Sequence, residues 1–173
     1  MPNRTKNKYL VVKGKAGLGN RIQSLLTCIL YAKLSGRKLY IDWRDPTYSN
    51  GKINSFHRYF ECPLVNPNDQ FPETDSVSPD IWIGCLQKSV REMNRLLGNI
   101  TDPDESRLRL SIDPAKLDYS EDLLIMWMHL ERVDDLRQYL NGEYRHIAYS
   151  STEQILKGLL KEDLILQSEI RER

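Results

Sequence analysis

The sequence predicts an α/β fold with a Rossmann-like parallel sheet, and three features predict it. A short unbroken apolar run, Tyr9–Val12, leads into a turn carrying three glycines, Gly14, Gly17 and Gly19. The period then changes: Ile22, Leu25, Leu26, Ile29 and Leu30 fall at i, i+3, i+4, i+7 and i+8, one face of a helix. A second strand-forming run, Leu39–Asp42, follows, so strand, glycine turn, helix and strand make one βαβ unit with parallel strands. Unbroken apolar runs of this kind suit strands covered on both faces.

Taken in order, the first helix should run to about Leu34. Gly36 stands where a left-handed closing residue is favoured, and Lys33 and Arg37 lie near the negative helix end. Trp43–Lys52 reads as a polar loop, and Ile53–Phe60 as a short aromatic-rich helix. Asn66–Pro79, with three prolines among polar residues, reads as loop. Ile81–Gly84 is expected to be a third strand, and Ser89–Leu97 a helix ended by Gly98. Thr101–Glu105 is expected to be a turn, and Arg107–Asp113, alternating apolar and polar, a strand. Leu123–Trp127 is the second strong buried strand. Two helices should follow, Val133–Leu140 and Thr152–Gln167, the latter with Thr152 as N-cap and an apolar face of Ile155, Leu156, Leu159 and Leu160. Ser168 then offers a new helix start just before the sequence stops, which suggests a truncated chain.

With 173 residues the chain suits one domain. Twenty-five Lys and Arg against 24 Asp and Glu leave a net charge of +1, so no single-sign field exists to draw nucleic acid. The longest apolar runs, such as Cys28–Ala32, fall far short of the roughly 20 residues that cross a bilayer. Met1–Lys8 is polar and basic, and Tyr9–Val12 is too short for the core of a signal peptide. Three widely spaced cysteines (Cys28, Cys62, Cys85) give neither a disulfide frame nor a zinc knuckle, and point to a reduced, cytoplasmic setting without a metal.

The glycine turn is the chemical centre of the sequence. A strand feeding such a turn and then a helix aims free backbone N–H groups and the positive helix end at one spot, outside the carboxyl edge of a parallel sheet. That arrangement suits phosphate, pyrophosphate or carboxylate. The dinucleotide pattern G-x-G-x-x-G fails, because the glycines run G-x-x-G-x-G. The P-loop pattern fits Gly14 and Gly19 but then gives Asn20 and Arg21 in place of Lys and Ser/Thr, so the main parts of NTP hydrolysis are missing. Two readings stay open: an anion site, which the number of glycines favours, and a turn that only allows close helix–sheet packing.

Gly17-Leu18-Gly19-Asn20-Arg21, the apolar helix with Tyr31-Ala32, then Ser35-Gly36-Arg37 and Leu39-Tyr40-Ile41-Asp42-Trp43-Arg44 together resemble the start of the nodulation (NodZ-type) fucosyltransferases, within the GDP-fucose-dependent fucosyltransferase superfamily. The resemblance covers about Tyr9 to Cys62. It implies a GT-B fold, with residues 1–173 as a single N-terminal, acceptor-side lobe. It implies that Gly17, Leu18, Gly19 and Asn20 reach the pyrophosphate or fucose of the donor, with Arg21 grouped beside them. GDP-fucose would be the donor substrate and a glycan the acceptor, with no cofactor and no metal. The family's donor lobe carries an H-x-R motif whose Arg offsets charge on the departing GDP. None of His57, His129 and His146 begins such a motif, so the donor lobe is expected to be absent and the chain to be inactive alone.

Asp42 and Asp45 end the second strand, where they could hold an acceptor hydroxyl or simply form a polar exit, the commoner case. Trp43, Tyr48, Phe56, His57 and Tyr59 could form a sugar-stacking platform or, more commonly, a small core under a loop. Asp102-Pro103-Asp104-Glu105 lacks the glycine and later Glu of a calcium loop and is expected to be a solvated turn. Cys28 is expected to pack. Two other functional classes remain: a stand-alone phosphate-ligand binding module using the same turn, and a truncated interaction fragment without catalysis.

Overall fold

The computed structural model describes residues 8–46, 53–167 and 170; Tyr48, most of the Trp43–Lys52 loop and the Ser168 helix start lie outside them. The chain orders as β1 (Tyr9–Lys13), α1 (Leu18–Ser35), β2 (Lys38–Asp42), α2 (Phe56–Tyr59), β3 (Phe60–Glu61), β4 (Val77–Ser78), α3 (Val90–Leu96), α4 (Pro103–Leu110), β5 (Leu123–Met126), α5 (Thr152–Asp163) and β6 (Ile165–Leu166). Three 3₁₀ segments, Asp80–Trp82, Val133–Tyr139 and Gly142–Ile147, fill connections between them.

The main sheet has the order β2–β1–β5–β4, and each adjacent pair is parallel. β1 is central, with Val11 opposite Tyr40 on one side and Ile125 on the other. The period of two along each strand explains the unbroken apolar runs. Leu10, Val12, Leu124 and Met126 face α1, α5 and the Val133–Tyr139 segment. Val11, Leu123 and Ile125 face the other layer, where Trp82, Val90, Met93 and Leu110 cover them. Both layers are needed to bury a four-residue strand such as β5 completely.

The expected βαβ unit is borne out almost residue for residue, including Gly36 in the left-handed region (φ 65°) at the end of α1. Four other expectations are corrected. Ile81–Gly84 is not a strand: the third partner of the sheet is Val77–Ser78, and pairing stops at Pro79, which has no N–H to give. The chain then turns so that Trp82 is fully buried, its indole N–H donating to the Leu110 carbonyl at 2.9 Å, while Ile83 is exposed.

Arg107–Asp113 is not a strand either, because α4 runs through Leu110. Asp102 caps that helix, accepting from the amides of Asp104 and Glu105 at 2.8 and 2.9 Å, and Pro103 takes the first helical position. Ser106 and Leu110, four apart, are its buried face. Val133–Tyr139 is a 3₁₀ segment rather than an α-helix. The last helix is capped by Ser151, in a reciprocal capping box with Gln154, and not by Thr152. It ends at Asp163, which is paired to Lys33 at 2.7 Å, so that Ile165–Leu166 can pair antiparallel with β3.

Candidate functional site

The carboxyl ends of β1, β2 and β5 converge beside the start of α1. The glycine turn there divides into two parts with different jobs. Gly14 belongs to the packing: a Cβ on it would lie 2.6 Å from Cδ1 of Trp43 and 2.8 Å from Nη1 of Arg21, and its amide donates to the Asp42 carbonyl at 2.9 Å. Gly17, Leu18, Gly19 and Asn20 are all exposed, and a Cβ on Gly19 would meet nothing within 4 Å. The left-handed backbone that the turn needs falls on Ala16 (φ 67°), while Gly17 is an extended N-cap (φ −67°) and Gly19 lies inside α1. The glycines are therefore not there for positive φ.

The start of α1 is open to an anion. Gly17 offers no side-chain cap, the first turn holds no acidic residue, and the first intrahelical bond is from the Arg21 amide to the Gly17 carbonyl at 3.1 Å. The amides of Leu18, Gly19 and Asn20 precede it and have no carbonyl within the helix to bond. The Asn20 side chain makes no hydrogen bond among the described residues, and Asn20 is not the N-cap.

Arg21, grouped with the donor residues on the sequence, is turned inward instead. Its side chain is buried, Nε donates to the Ala16 carbonyl at 2.9 Å, and Nη2 pairs with Asp45 at 3.1 Å. The guanidinium lies 5.6 Å from the Trp43 ring. It holds the left-handed Ala16 and the loop after β2 against the turn.

The acceptor-side candidates are likewise structural. Asp42 is buried, with Lys13 Nζ at 2.7 Å, Arg44 Nε at 2.7 Å and Arg44 Nη2 at 2.9 Å. Burial alone would push its carboxyl up, but the Arg44 hydrogen bond and the charges of Lys13 and Arg44 outweigh it and hold the group below the usual carboxylate range. Asp45 is buried against Arg21. Trp43 is buried edge-on to Phe56 and Phe60, at 5.3 and 6.1 Å, so these aromatics are a small core and not a sugar platform. The strand that ends in charged residues does so because buried cations on β1, α1 and the loop need partners.

Two residues at the same edge escaped the sequence reading. Trp127 and His129 directly follow β5, their rings 6.4 Å apart, and Lys15 Nζ sits 4.9 Å from the Trp127 ring. Trp127 Nε1 and His129 Nδ1 are buried without a hydrogen-bond partner among the described residues. Their position at and just beyond the end of the predicted strand Leu123–Trp127 was the available signal, since open α/β sheets bind ligands at such ends. The Trp127 indole and His129 imidazole therefore face the same edge as the turn. Cys28 is wholly buried, as expected, and burial pushes its thiol far up.

The packing role of Gly14 carries its own test. Gly14→Ala is expected to lower stability by about 1–3 kcal/mol, the range for overpacking, because Trp43 is itself enclosed and cannot retreat. Gly19→Ala should leave the melting temperature unchanged or raise it slightly, since alanine suits a helix better. Parallel thermal melts of the two variants check the division of the turn.

The fold and this edge together define a class, an α/β unit on a parallel Rossmann-like sheet with an exposed helix start at its carboxyl edge. The particular structures it is similar to are those of the fucosyltransferase NodZ from Bradyrhizobium, at 20% identity and a TM-score of 0.58, covering 97% of this chain and 54% of that one. NodZ α-1,6-fucosyltransferase co-crystallised with GDP matches over 98% of this chain and 54% of that one, at 19% identity and a TM-score of 0.56. The same enzyme soaked with GDP-fucose matches at 18% identity and a TM-score of 0.53, over 97% and 53%. The likeness is one of fold, and the chain spans about half the length of those structures. No family model matches the sequence, and no curated protein does. Among the described residues no helix is long and apolar enough to cross a membrane.

Proposed function

We propose that this chain is the acceptor-side lobe of a GDP-fucose-dependent fucosyltransferase, with Gly17–Asn20 facing the donor. The observation that carries the reading is the exposed, uncapped start of α1 at the carboxyl edge of a parallel sheet, within a fold like that of NodZ. In inverting transfer an acceptor oxygen attacks the anomeric carbon of fucose as the bond to GDP breaks. The electron pair leaves on the diphosphate, and the acceptor proton passes to a base. Free amides of Leu18, Gly19 and Asn20 meet the charge that collects on the diphosphate, and the Asn20 side chain adds a donor. Arg21, Trp43 and the Asp42 and Asp45 ion pairs hold the turn in place without touching substrate.

The sequence lacks H-x-R, so the cation opposite the diphosphate comes from a second lobe in this reading. The three cysteines are free thiols, which suits a reducing, cytoplasmic setting. Calorimetry of this chain with GDP-fucose, GDP and a sugar phosphate tests the assignment. Weak binding of both guanosine ligands, with a dissociation constant of about 1 mM, and no turnover are expected. Equal binding of all three would make the chain a general phosphate-ligand module. No heat from any of them would leave an interaction fragment, and measurable turnover would overturn the lobe assignment.

A further inference from the structure

The far end of α1, away from the glycine turn, borders a cavity of about 370 Å³ lined by Leu34, Leu117, Tyr139, Asn141, Glu143 and Tyr144. Its size and its mix of apolar walls with a few polar groups are those of a small-ligand pocket. Leu34, Leu117, Tyr139 and Tyr144 are half-buried and packed against the core layer that covers α1. The Tyr139 hydroxyl donates to the Ala115 carbonyl at 2.8 Å, which fixes that ring. The chain between the two tyrosines is a closed turn. The Asn141 amide donates to the Tyr139 carbonyl at 2.8 Å and the Tyr144 amide to the Asn141 carbonyl at 2.9 Å, with Gly142 left-handed (φ 55°) between them. Both tyrosines are thereby held in place while part of each stays open to solvent.

The polar groups of this cavity suit a neutral ligand. Lys33 is the one cation in its lining and is paired with Asp163 at 2.7 Å, so its charge is already met. Glu143 is exposed, and its carboxylate would repel an anion. Burial first, and then the charge and hydrogen bond of Glu143, push the Tyr144 hydroxyl up, which keeps it a neutral hydrogen-bonding group. The Asn141 side chain is exposed, caps no helix, and offers both a donor and an acceptor. A smaller cavity of about 120 Å³ shares Lys33 and Tyr144 with the first and is lined further on by Ile147, Ile155 and Gly158. Gly158 lies inside α5, where glycine is unfavourable, yet a Cβ on it would meet nothing within 4 Å. Packing within the described residues does not call for that glycine. It leaves helix backbone open to whatever enters the second cavity.

We propose that the two cavities form a binding site for a neutral oligosaccharide, with a sugar unit on either side of Tyr144. A pyranose ring has an apolar C–H face and a rim of hydroxyls. A tyrosine, with an apolar ring and a polar tip, suits the face, while Asn141 and Glu143 suit the rim. The binding claim stands on the cavities alone; only its assignment to the acceptor rests on the fucosyltransferase reading. By the helical rise, Leu34 lies about 24 Å along α1 from Leu18. An acceptor held here while it reacts at the glycine turn is therefore several sugar units long. The competing occupant is a basic peptide, which Glu143 would attract.

The test uses this chain labelled with ¹⁵N and titrated with neutral tetrasaccharides of glucose, galactose and N-acetylhexosamine, and with tetralysine. Saturable shifts of the Gly142 and Tyr144 amides are expected with at least one of the sugars. The amides of Gly19 and Asn20 report any separate binding at the turn. Tyr144→Ala should weaken the response about tenfold, the loss usual for an aromatic anchor. Asn141→Ala, at an exposed side chain, should weaken it about threefold with the thermal melt in place, so the site stays testable if Tyr144→Ala fails to fold. Glu143→Gln keeps a hydrogen-bonding group and should leave sugar binding nearly unchanged. No saturable shift with any of the sugars, or one indifferent to both alanine substitutions, overturns the site. So does saturable binding of tetralysine alone, lost in Glu143→Gln, which would make this a peptide surface. Sugar binding without any GDP-fucose binding would keep the cavities and sink the acceptor assignment. GDP-fucose binding without sugar binding would sink the cavities and leave the transferase reading standing.

Discussion

Asp42→Asn is expected to cost the domain about 3–5 kcal/mol, the range for removing one partner from a buried ion pair. That is a large part of the roughly 5–15 kcal/mol that holds an ordinary domain together. Lys13 is 2% exposed, and among the described residues its ammonium would keep the carbonyls of Leu86 and Lys88 and a neutral amide oxygen in place of the carboxylate, with the Phe71 and Trp82 rings at 5.2 and 5.0 Å. Those groups solvate a charge but do not neutralise it. Replacing both members, as in Lys13→Met with Asp42→Leu, should lose less than Asp42→Asn alone, since the destabilisation comes from the charge left behind. Urea unfolding of the three proteins measures this. The pH dependence follows from the same pair. The carboxyl of Asp42 is held below its ordinary value in the folded protein, so its contribution is complete above the normal carboxylate range. It is lost as the pH falls through the depressed value. A wild-type unfolding free energy that stayed flat on acidification while Asp42→Asn tracked it would refute the assignment.

Asn20→Ala is expected to reduce fucosyl transfer by the complete two-lobed enzyme about 10²-fold, the usual loss when one donor to a developing negative charge is removed. Stability should scarcely change. Gly17 and not Asn20 is the N-cap, the Asn20 side chain has no hydrogen-bond partner among the described residues, and alanine is the better helix former. Gly19→Val should give a comparable loss of transfer by standing in the open space above the turn. It should also fold normally, because Gly19 lies in ordinary helical backbone with nothing within 4 Å of a Cβ. Melts paired with a GDP-fucose transfer assay separate the effects. Unchanged transfer in both variants would return Gly17–Asn20 to the role of a helix start without a ligand, and would remove the main support for the transferase reading.

The parts of the fold that the sequence determined are those governed by neighbours along the chain. β1, α1, Gly36 and β2 could be placed because an apolar run, a 3.6-residue period, a left-handed stop and a second run follow one another without interruption. The exposed segment Gly17–Asn20 was legible for the same reason, since any strand–turn–helix leaves its first amides at the sheet edge. Local pattern failed where two periods fitted the same residues. In Arg107–Asp113 the alternation of Arg and Leu suits a strand, yet Asp102 and Pro103, a turn earlier, had already started a helix. In Ile81–Gly84 the apolar letters suggest a strand, but Trp82 needed the Leu110 carbonyl, and the sheet had already taken Val77–Ser78.

Only the tertiary structure could divide the turn and choose among the polar residues. Gly14 is required by Trp43, 29 positions later in the chain, and Arg21 is claimed by Asp45 across the same loop. Asp42 at the end of β2 was a plausible ligand group on its own, and becomes a structural one because Lys13 lies beside it in the parallel register. Sequence spacing specifies which residues share a helix face or a strand face. Whether a charged side chain meets a partner or a ligand depends on which distant segment folds against it, and that is fixed by burial of the two apolar layers around β1 and β5.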